Sequence, residues 1–334
     1  MLLFSGSKKT QKEKIIALLD IENASVGVVL VRLPSAAEST VGQMPGLFGE
    51  KRIALPVPQT LDVGHMVQKL ENAVYEALVH ARAAAGGELS HLAVFLGAPW
   101  STPVWKASQA GATQKFFWEF EPYLQKSVLH LAQDMPVSFH AFGMAATSAI
   151  DAVFDHDDAF FLCVITGEVC EILYIQNNIV AARATVPFGA HTLSRTVATH
   201  AGVPLFAARS AIHLVDTSSG RTHPGPAWIH EPLSVAATHF ATYFADAARD
   251  LYTEIPRGSE PAHSVLVVAQ EPLGELFASI LGNSAQMSEL FPRGGVVRAL
   301  RAHHLVPHAA TDAAKPDLHF MIEALFINKH AHKF

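Results

Sequence analysis

The sequence predicts a duplicated α/β fold built as two lobes. Hydrophobic strands alternate with amphipathic helices along most of the chain. Each half opens on the same kind of hairpin, IIALLDIENASVGVVLVR at residues 15–32 and FFLCVITGEVCEILYI at residues 160–175. The chain has 334 residues, 50% of them hydrophobic, enough to fill a core in each lobe.

The elements follow in order. The first hairpin covers residues 15–33, and its apolar run over 26–33 is β-branched and nearly unbroken, as in a strand covered on both faces. Residues 34–50 hold Pro34, Gly42, Pro45, Gly46 and Gly49 and read as a loop before a short strand at 52–57. Thr60 and Asp62 open a helix whose Met66, Leu70, Val74, Ala77 and Leu78 share one stripe, and Gly86 with Gly87 stops it. A buried strand at 91–96 ends in Gly97, Ala98, Pro99 and Trp100. Residues 101–114 read as a loop and 116–133 as a helix, with Phe116, Phe120, Tyr123, Leu124, Val128 and Leu131 as its apolar positions. A strand at 137–142 and a helix at 145–153 lead to Asp155, His156, Asp157 and Asp158, a solvated loop rather than a cation site.

After the second hairpin come a strand at 179–186, a turn at Phe188 and Gly189, a helix at 193–200 capped by Thr192, and a helix at 205–214. A polar loop at 215–230 precedes a long amphipathic helix at 233–252, a strand at 265–268 and a helix at 273–281. The apolar stretch at 317–328 reads as a last helix returning to the first lobe. The expected organisation is a first lobe at 15–157 with a shortened insertion near 101–136, a second lobe at 158–308, and a C-terminal segment at 309–334.

Composition excludes several classes. Lys plus Arg number 24 against 30 Asp plus Glu, a formal charge of -6, so no basic field covers the chain and nucleic acid is not the expected ligand. No apolar run is long enough to span a bilayer. The N-terminus places Leu2, Leu3 and Phe4 before its lysines, the reverse of a signal peptide; it reads as a tail, or as a peripheral contact with a lipid surface. Neither GxGxxG nor GxxxxGK[ST] occurs. Cys163 and Cys170 lie in one hairpin and read as reduced core thiols, with a disulfide as the alternative. The 19 histidines include His303, His304 and His308, and His330 with His332, which read as surface groups because no helix-spaced pair has a supporting carboxylate. No metal site is expected.

The paired hairpins resemble the phosphate-clasping hairpins of the actin-like ATPase superfamily. The segment TGEVCEILYIQNNIVAARATVPFGAHTLSRTVA at residues 166–198 resembles the second-lobe hairpin of the PilM/FtsA-like branch. Glu168, Glu171 and Ile172 carry that likeness, with Pro187, Phe188 and Gly189 at the later turn, and Ala98, Pro99 and Trp100 resemble the branch's Ser-Pro-Trp strand end. The resemblance implies a duplicated actin-like (ribonuclease H-like) two-lobed fold with a nucleotide cleft between the hairpins. Its cleft positions here are Asp20, Asn23 and Ser25 from the first turn and Thr166, Gly167 and Glu168 from the second.

Those positions depart from the family's Asp-then-Gly pattern. Glu22 stands where a Gly is expected, Val164 replaces the second Asp and Thr166 the second Gly. Backbone amides approach phosphate most closely where no side chain intervenes. A carboxylate at Glu22 would instead repel phosphate by several kcal/mol unless a cation bridges them. The strand at 265–268 is followed by Ala269, Gln270, Glu271 and Pro272 rather than an adenosine-binding glycine pair.

The resemblance therefore implies a pseudo-ATPase: no catalytic residue, no cofactor, and ATP with magnesium disfavoured. It implies a cytoplasmic scaffold at the inner face of the cell membrane, of a type IV pilus or related assembly, binding the short cytoplasmic tail of an inner-membrane protein. Trp100, Trp105, Phe117 and Trp118 are the aromatics expected to meet that tail, the alternative for Phe117 and Trp118 being a wide core face. The competing readings are an FtsA-like nucleotide switch or ATPase using Asp20, and a small-molecule kinase using Asp20 or Glu168. Glu168 and Glu171 also read as plain solvated strand residues.

Overall fold

The computed structural model describes residues 14–33, 44–57, 63–87, 89–107, 114–133, 135–154, 159–215, 226–255, 260–292 and 294–333; for 63–66, 103–107 and 114–118 only the backbone is described. Leu2, Leu3 and Phe4, the expected helix start at Thr60 and Asp62, and the acidic segment Asp155 to Asp158 lie outside the described residues.

The first lobe runs through β1 (Lys14–Ile21), β2 (Ser25–Leu33), β3 (Gly46–Ala54), α1 (Val63–Ala84), β4 (Leu89–Leu96), β5 (Ser101–Ala107), β6 (Gln114–Phe120), α2 (Pro122–Ala132), β7 (Val137–Ala141) and α3 (Phe142–Val153). The second runs through β8 (Ala159–Ile165), β9 (Cys170–Gln176), β10 (Ile179–Val186), α4 (Ala190–Ala201), α5 (Leu205–Leu214), α6 (His230–Glu254), β11 (Ser264–Val268), α7 (Leu273–Gly282), α8 (Ala285–Leu290) and β12 (Val296–Ala299). The chain then returns through α9 (Ala302–Leu305), β13 (Ala310–Thr311) and α10 (Leu318–Lys329).

The duplication is visible in the sheets. One sheet has the order β13-β3-β2-β1-β4-β7 and the other β10-β9-β8-β11-β12. In each, an antiparallel meander is followed by two strands added parallel to its first strand. The strand β13 extends the first sheet beside β3.

Both central hairpins are buried on two faces, which explains their unbroken apolar runs. Side chains alternate across a strand, so Ile15, Ala17, Leu19 and Ile21 face an outer core with α1 and α2, while Ile16 and Leu18 face an inner core. That inner core lies between the two sheets and contains α3 and α10 together with Phe160, Leu162 and Val164 of β8. Phe161, Cys163 and Ile165 face the second lobe's outer core with α4 to α7. The inner layer therefore joins the lobes, and Asp20, in phase with Ile16 and Leu18, points into it.

Several expectations are corrected. The segment expected as a loop at 34–50 gives way to β3 from Gly46. The insertion is a β5–β6 hairpin followed by α2, not a loop and one helix: Phe116 to Phe120 are in a strand, and α2 starts at Pro122 with Glu121 as its N-cap. The helix expected from Leu193 begins at Ala190, with Gly189 rather than Thr192 as its N-cap.

Candidate functional site

The two hairpin turns meet where the resemblance predicts the cleft. Asn23 Oδ1 accepts the Glu168 backbone N–H at 3.1 Å. A Cβ placed on Gly167 would lie 2.7 Å from Ala24 Cβ and 2.9 Å from Asn23 Oδ1, so only a glycine lets the turns approach this closely. Thr166 serves its own turn: its N–H and its hydroxyl both donate to the Val169 carbonyl. Of the sequence's candidates, Asn23, Gly167 and Glu168 are thus brought into contact across the two turns.

Below the turns lies a buried ionic cluster. Asp20 is fully buried and Glu22 is 2% exposed. Arg52, opposite Gly27 on β3, reaches across with Nη1 2.8 Å from Asp20 Oδ2. The same guanidinium donates from Nη1 to Ser25 Oγ at 2.9 Å and grips Asp317 through Nε at 2.6 Å and Nη2 at 3.1 Å. Its planar fork suits that bidentate contact. Asp317 is also the N-cap of α10, accepting from the His319 N–H at 2.9 Å. This cap places His319 one residue into the helix, with Nδ1 2.5 Å from Glu22 and 3.5 Å from Asp20. Phe142 stacks on the imidazole at 4.5 Å between centroids. Gly27 has no side chain to obstruct Phe320, whose Cζ lies 2.6 Å from where a Cβ would sit, and the Phe320 ring carries Arg52 at 4.7 Å.

The charges follow from this geometry. Burial pushes the Asp20 carboxyl up, but Arg52 and His319 outweigh burial and hold it below the ordinary aspartate range. Burial opposes the charge on His319, yet Glu22 and Asp20 raise it to about 10, so the ring is an imidazolium at neutral pH. Burial and the Asp20 carboxylate push the Glu323 carboxyl, one turn further along α10, well above the ordinary range. The cation that Glu22 requires is therefore supplied by the chain itself.

The second lobe closes over this cluster. Gln270 Nε2 donates to Ser25 Oγ at 2.9 Å and to Glu22 at 3.3 Å. Glu168 is buried, not solvated: Arg195 holds both its carboxylate oxygens and His191 Nδ1 lies 3.2 Å away. Burial pushes that carboxyl up, but the Arg195 and His191 contacts prevail and bring it down to about 2. Glu171 is also fully buried, ion-paired with Arg183, which donates to the Ser101 carbonyl of the first lobe at 3.0 Å. Burial raises the Glu171 carboxyl, and Arg183 offsets only part of the rise.

The aromatic candidates divide. Trp100 is 8% exposed and packs in the first lobe's outer core, so it is not the exposed residue expected. Trp105, Phe117 and Trp118 lie on the β5–β6 hairpin, where Trp105 pairs with Phe116, Val104 with Phe117 and Pro103 with Trp118. The thiols of Cys163 and Cys170 are free and buried, with sulfurs 3.1 Å apart.

Sequence reasoning missed Arg52, His191, Arg195, Gln270, Asp317, His319 and Glu323. Two signals were present. Asp317 precedes an apolar run, as an N-cap does, and Glu323 is an isolated acid within LHFMIEALFI.

No protein-family model and no curated protein matches the sequence. Solved structures match in shape. The PilM-PilN type IV pilus biogenesis complex aligns with a TM-score of 0.59 and 11% identity, over 96% of this chain and 98% of that one. MreB 5 of Spiroplasma citri bound to AMPPNP aligns at 0.53 and 11%, over 96% and 97%. Ethanolamine utilization protein EutJ from Carboxydothermus hydrogenoformans aligns at 0.52 and 15%, over 93% and 89%. The chain has the actin-like two-lobed fold. Among the described residues no helix is long and apolar enough to cross a membrane.

Proposed function

We propose that this protein is a non-catalytic actin-like scaffold that binds the cytoplasmic tail of a membrane protein, at the inner face of the cell membrane. The observation that carries the reading is the contact between the two turns. With Gly167 against Ala24 and Asn23 bonded to Glu168, the two turns touch each other, which favours a cleft that holds no phosphate chain. Arg52 supports the reading: it neutralises Asp20, the carboxylate that a working site would turn toward magnesium. A bound nucleotide would have to break these contacts and bury its phosphates beside Glu22.

The likeness to PilM in the PilM-PilN complex supports a membrane-protein partner. The β5–β6 hairpin, with Trp105, Phe117 and Trp118, is the proposed contact. An extended tail can add to such a hairpin through backbone bonds while aromatic rings give specificity.

The test is calorimetry of magnesium-ATP with the purified protein. No heat is expected up to millimolar ATP. Micromolar binding that disappears in Asp20→Asn would overturn the reading in favour of a nucleotide switch. Photo-crosslinking from position 118 in cells tests the partner: the expected product is an integral membrane protein, and crosslinks confined to other proteins would refute the tail-binding role.

A further inference from the structure

We propose that Asp20, Glu22 and His319 form a site for one divalent transition-metal ion, zinc by preference, taken up without nucleotide. The inference rests on the closed cleft of the preceding section only in that no phosphate completes the site.

The three residues come from the end of β1, the turn after it and the first turn of α10. One donor atom from each lies within 4.8 Å of the others. All three are buried, at 0%, 2% and 0% exposure respectively. The set combines one imidazole nitrogen with two carboxylates. Magnesium and calcium prefer all-oxygen shells, whereas zinc accepts mixed nitrogen and oxygen ligands in a tetrahedron.

A second observation points the same way. Asp20 Oδ1, His319 Nε2 and both carboxyl oxygens of Glu323 are buried without a hydrogen-bond partner among the described residues. Buried polar atoms are rarely left unpaired, and one of these, Asp20 Oδ1, belongs to a candidate ligand. Glu323 follows His319 by four residues, so it lies on the same face of α10.

The charge balance fits a dication. Asp20, Glu22 and Asp317 bring three negative charges against the one guanidinium of Arg52, and an ion that displaces the His319 ring proton would balance the remaining two. Arg52 approaches Asp20 through Oδ2 and so leaves Oδ1 for the ion. Asp317 is held at both oxygens by Arg52 and stays outside the set.

The geometry needs one adjustment. Bonds of about 2.1 Å place tetrahedral donors about 3.4 Å apart. His319 Nδ1 is 3.5 Å from Asp20 Oδ2, the oxygen that Arg52 also approaches, and only 2.5 Å from Glu22 Oε1. Glu22 must therefore swing outward by about 1 Å to share an ion with His319. Gln270 holds Glu22 from the second lobe, so entry of the ion requires that contact to part.

The test uses the full-length protein stripped with a chelator and titrated with cobalt(II), the spectroscopic stand-in for zinc. The expected result is one equivalent bound without nucleotide, a visible band of four-coordinate cobalt, and its displacement by one equivalent of zinc. Glu22→Gln and His319→Asn should each weaken binding at least 100-fold, with near-ultraviolet circular dichroism confirming that each variant is folded. Glu22→Gln preserves shape, so it keeps the test decisive if His319→Asn does not fold. The substitution His303→Asn, on the surface, should leave the band unchanged. Absence of the band, its survival in Glu22→Gln, or its loss only in the surface variant would each overturn the proposal. Repeating the titration with ATP separates the two readings. A band that requires ATP overturns both the nucleotide-free site and the closed cleft. No band under either condition overturns the metal site alone.

Discussion

Replacing Arg52 by Met is the most direct test of the buried cluster. The substitution keeps an apolar stem over Phe320 and removes the guanidinium between Asp20 and Asp317. Asp20 is then a fully buried carboxylate whose nearest cation is His319 at 3.5 Å. Removing one partner of a buried pair costs about 3–5 kcal/mol, because the remaining charge is stranded. Asp317 contributes little to that loss, since its side chain is 20% exposed and can rehydrate. With His319 still in place, the low end applies, about 3 kcal/mol. The assay is guanidinium denaturation followed by circular dichroism and by tryptophan fluorescence, in chelator so that no metal intervenes. The second arm is the double variant Asp20→Asn with Arg52→Met. Neutralising the stranded charge should make it more stable than Arg52→Met alone, a sign that independent sites cannot produce. A loss below about 1 kcal/mol for Arg52→Met, or a double variant that loses the sum of the single losses, would refute a buried Asp20–Arg52 pair.

Three further outcomes follow from the same geometry. Gly167→Ala forces a methyl to 2.7 Å from Ala24 Cβ, so it should cost about 1–3 kcal/mol and speed hydrogen exchange at both turns; unchanged exchange would mean the turns do not touch. Glu168 has its carboxyl lowered from 4.5 to about 2, so its contribution to stability is present above pH 4.5 and lost as pH falls through about 2. Arg195→Gln removes the main cause of that shift, and the stability gap between wild type and variant should shrink between pH 5 and pH 2; a constant gap would mean that the contact is not ionic. Finally, Cys163 and Cys170 should resist a thiol reagent in the native protein and react together on unfolding, whereas fast native reaction would contradict their burial.

The fold was legible where local pattern and burial agree. The hairpins announce themselves because β1, β2, β8 and β9 are buried on both faces and read as unbroken apolar runs around polar turns. The insertion was misread because Phe116, Phe120, Tyr123 and Leu124 also satisfy helical spacing. Strand-forming aromatics in QKFFWEF and Pro122 at the first helical position were the better guides. The cluster was only half legible. Asp20 and Glu22 follow from the hairpin, but Arg52 is set by its register opposite Gly27, and His319 arrives from the other end of the chain. Nothing within either segment marks them as partners.

The two lobes place different residues at equivalent strand positions, yet each buries a carboxylate there. By strand phase Val164 is the counterpart of Asp20, since both face the inner layer with the apolar residues two and four positions before them. The second lobe nevertheless buries a carboxylate there. Glu171 stands directly opposite Val164 on β9, as Gly27 stands opposite Asp20 on β2, and it takes Arg183 from β10 as Asp20 takes Arg52 from β3. Each lobe thus presents one arginine–carboxylate pair to the layer between the sheets. Arg183 goes on to bond Ser101 of the first lobe, and Arg52 goes on to bond Asp317 of the returning segment. Such pairs add little net stability compared with apolar packing, but they tolerate little displacement, because a stranded buried charge is costly. Of the two, the Arg183 pair is the one that ties the lobes together, because Arg183 alone bonds across them.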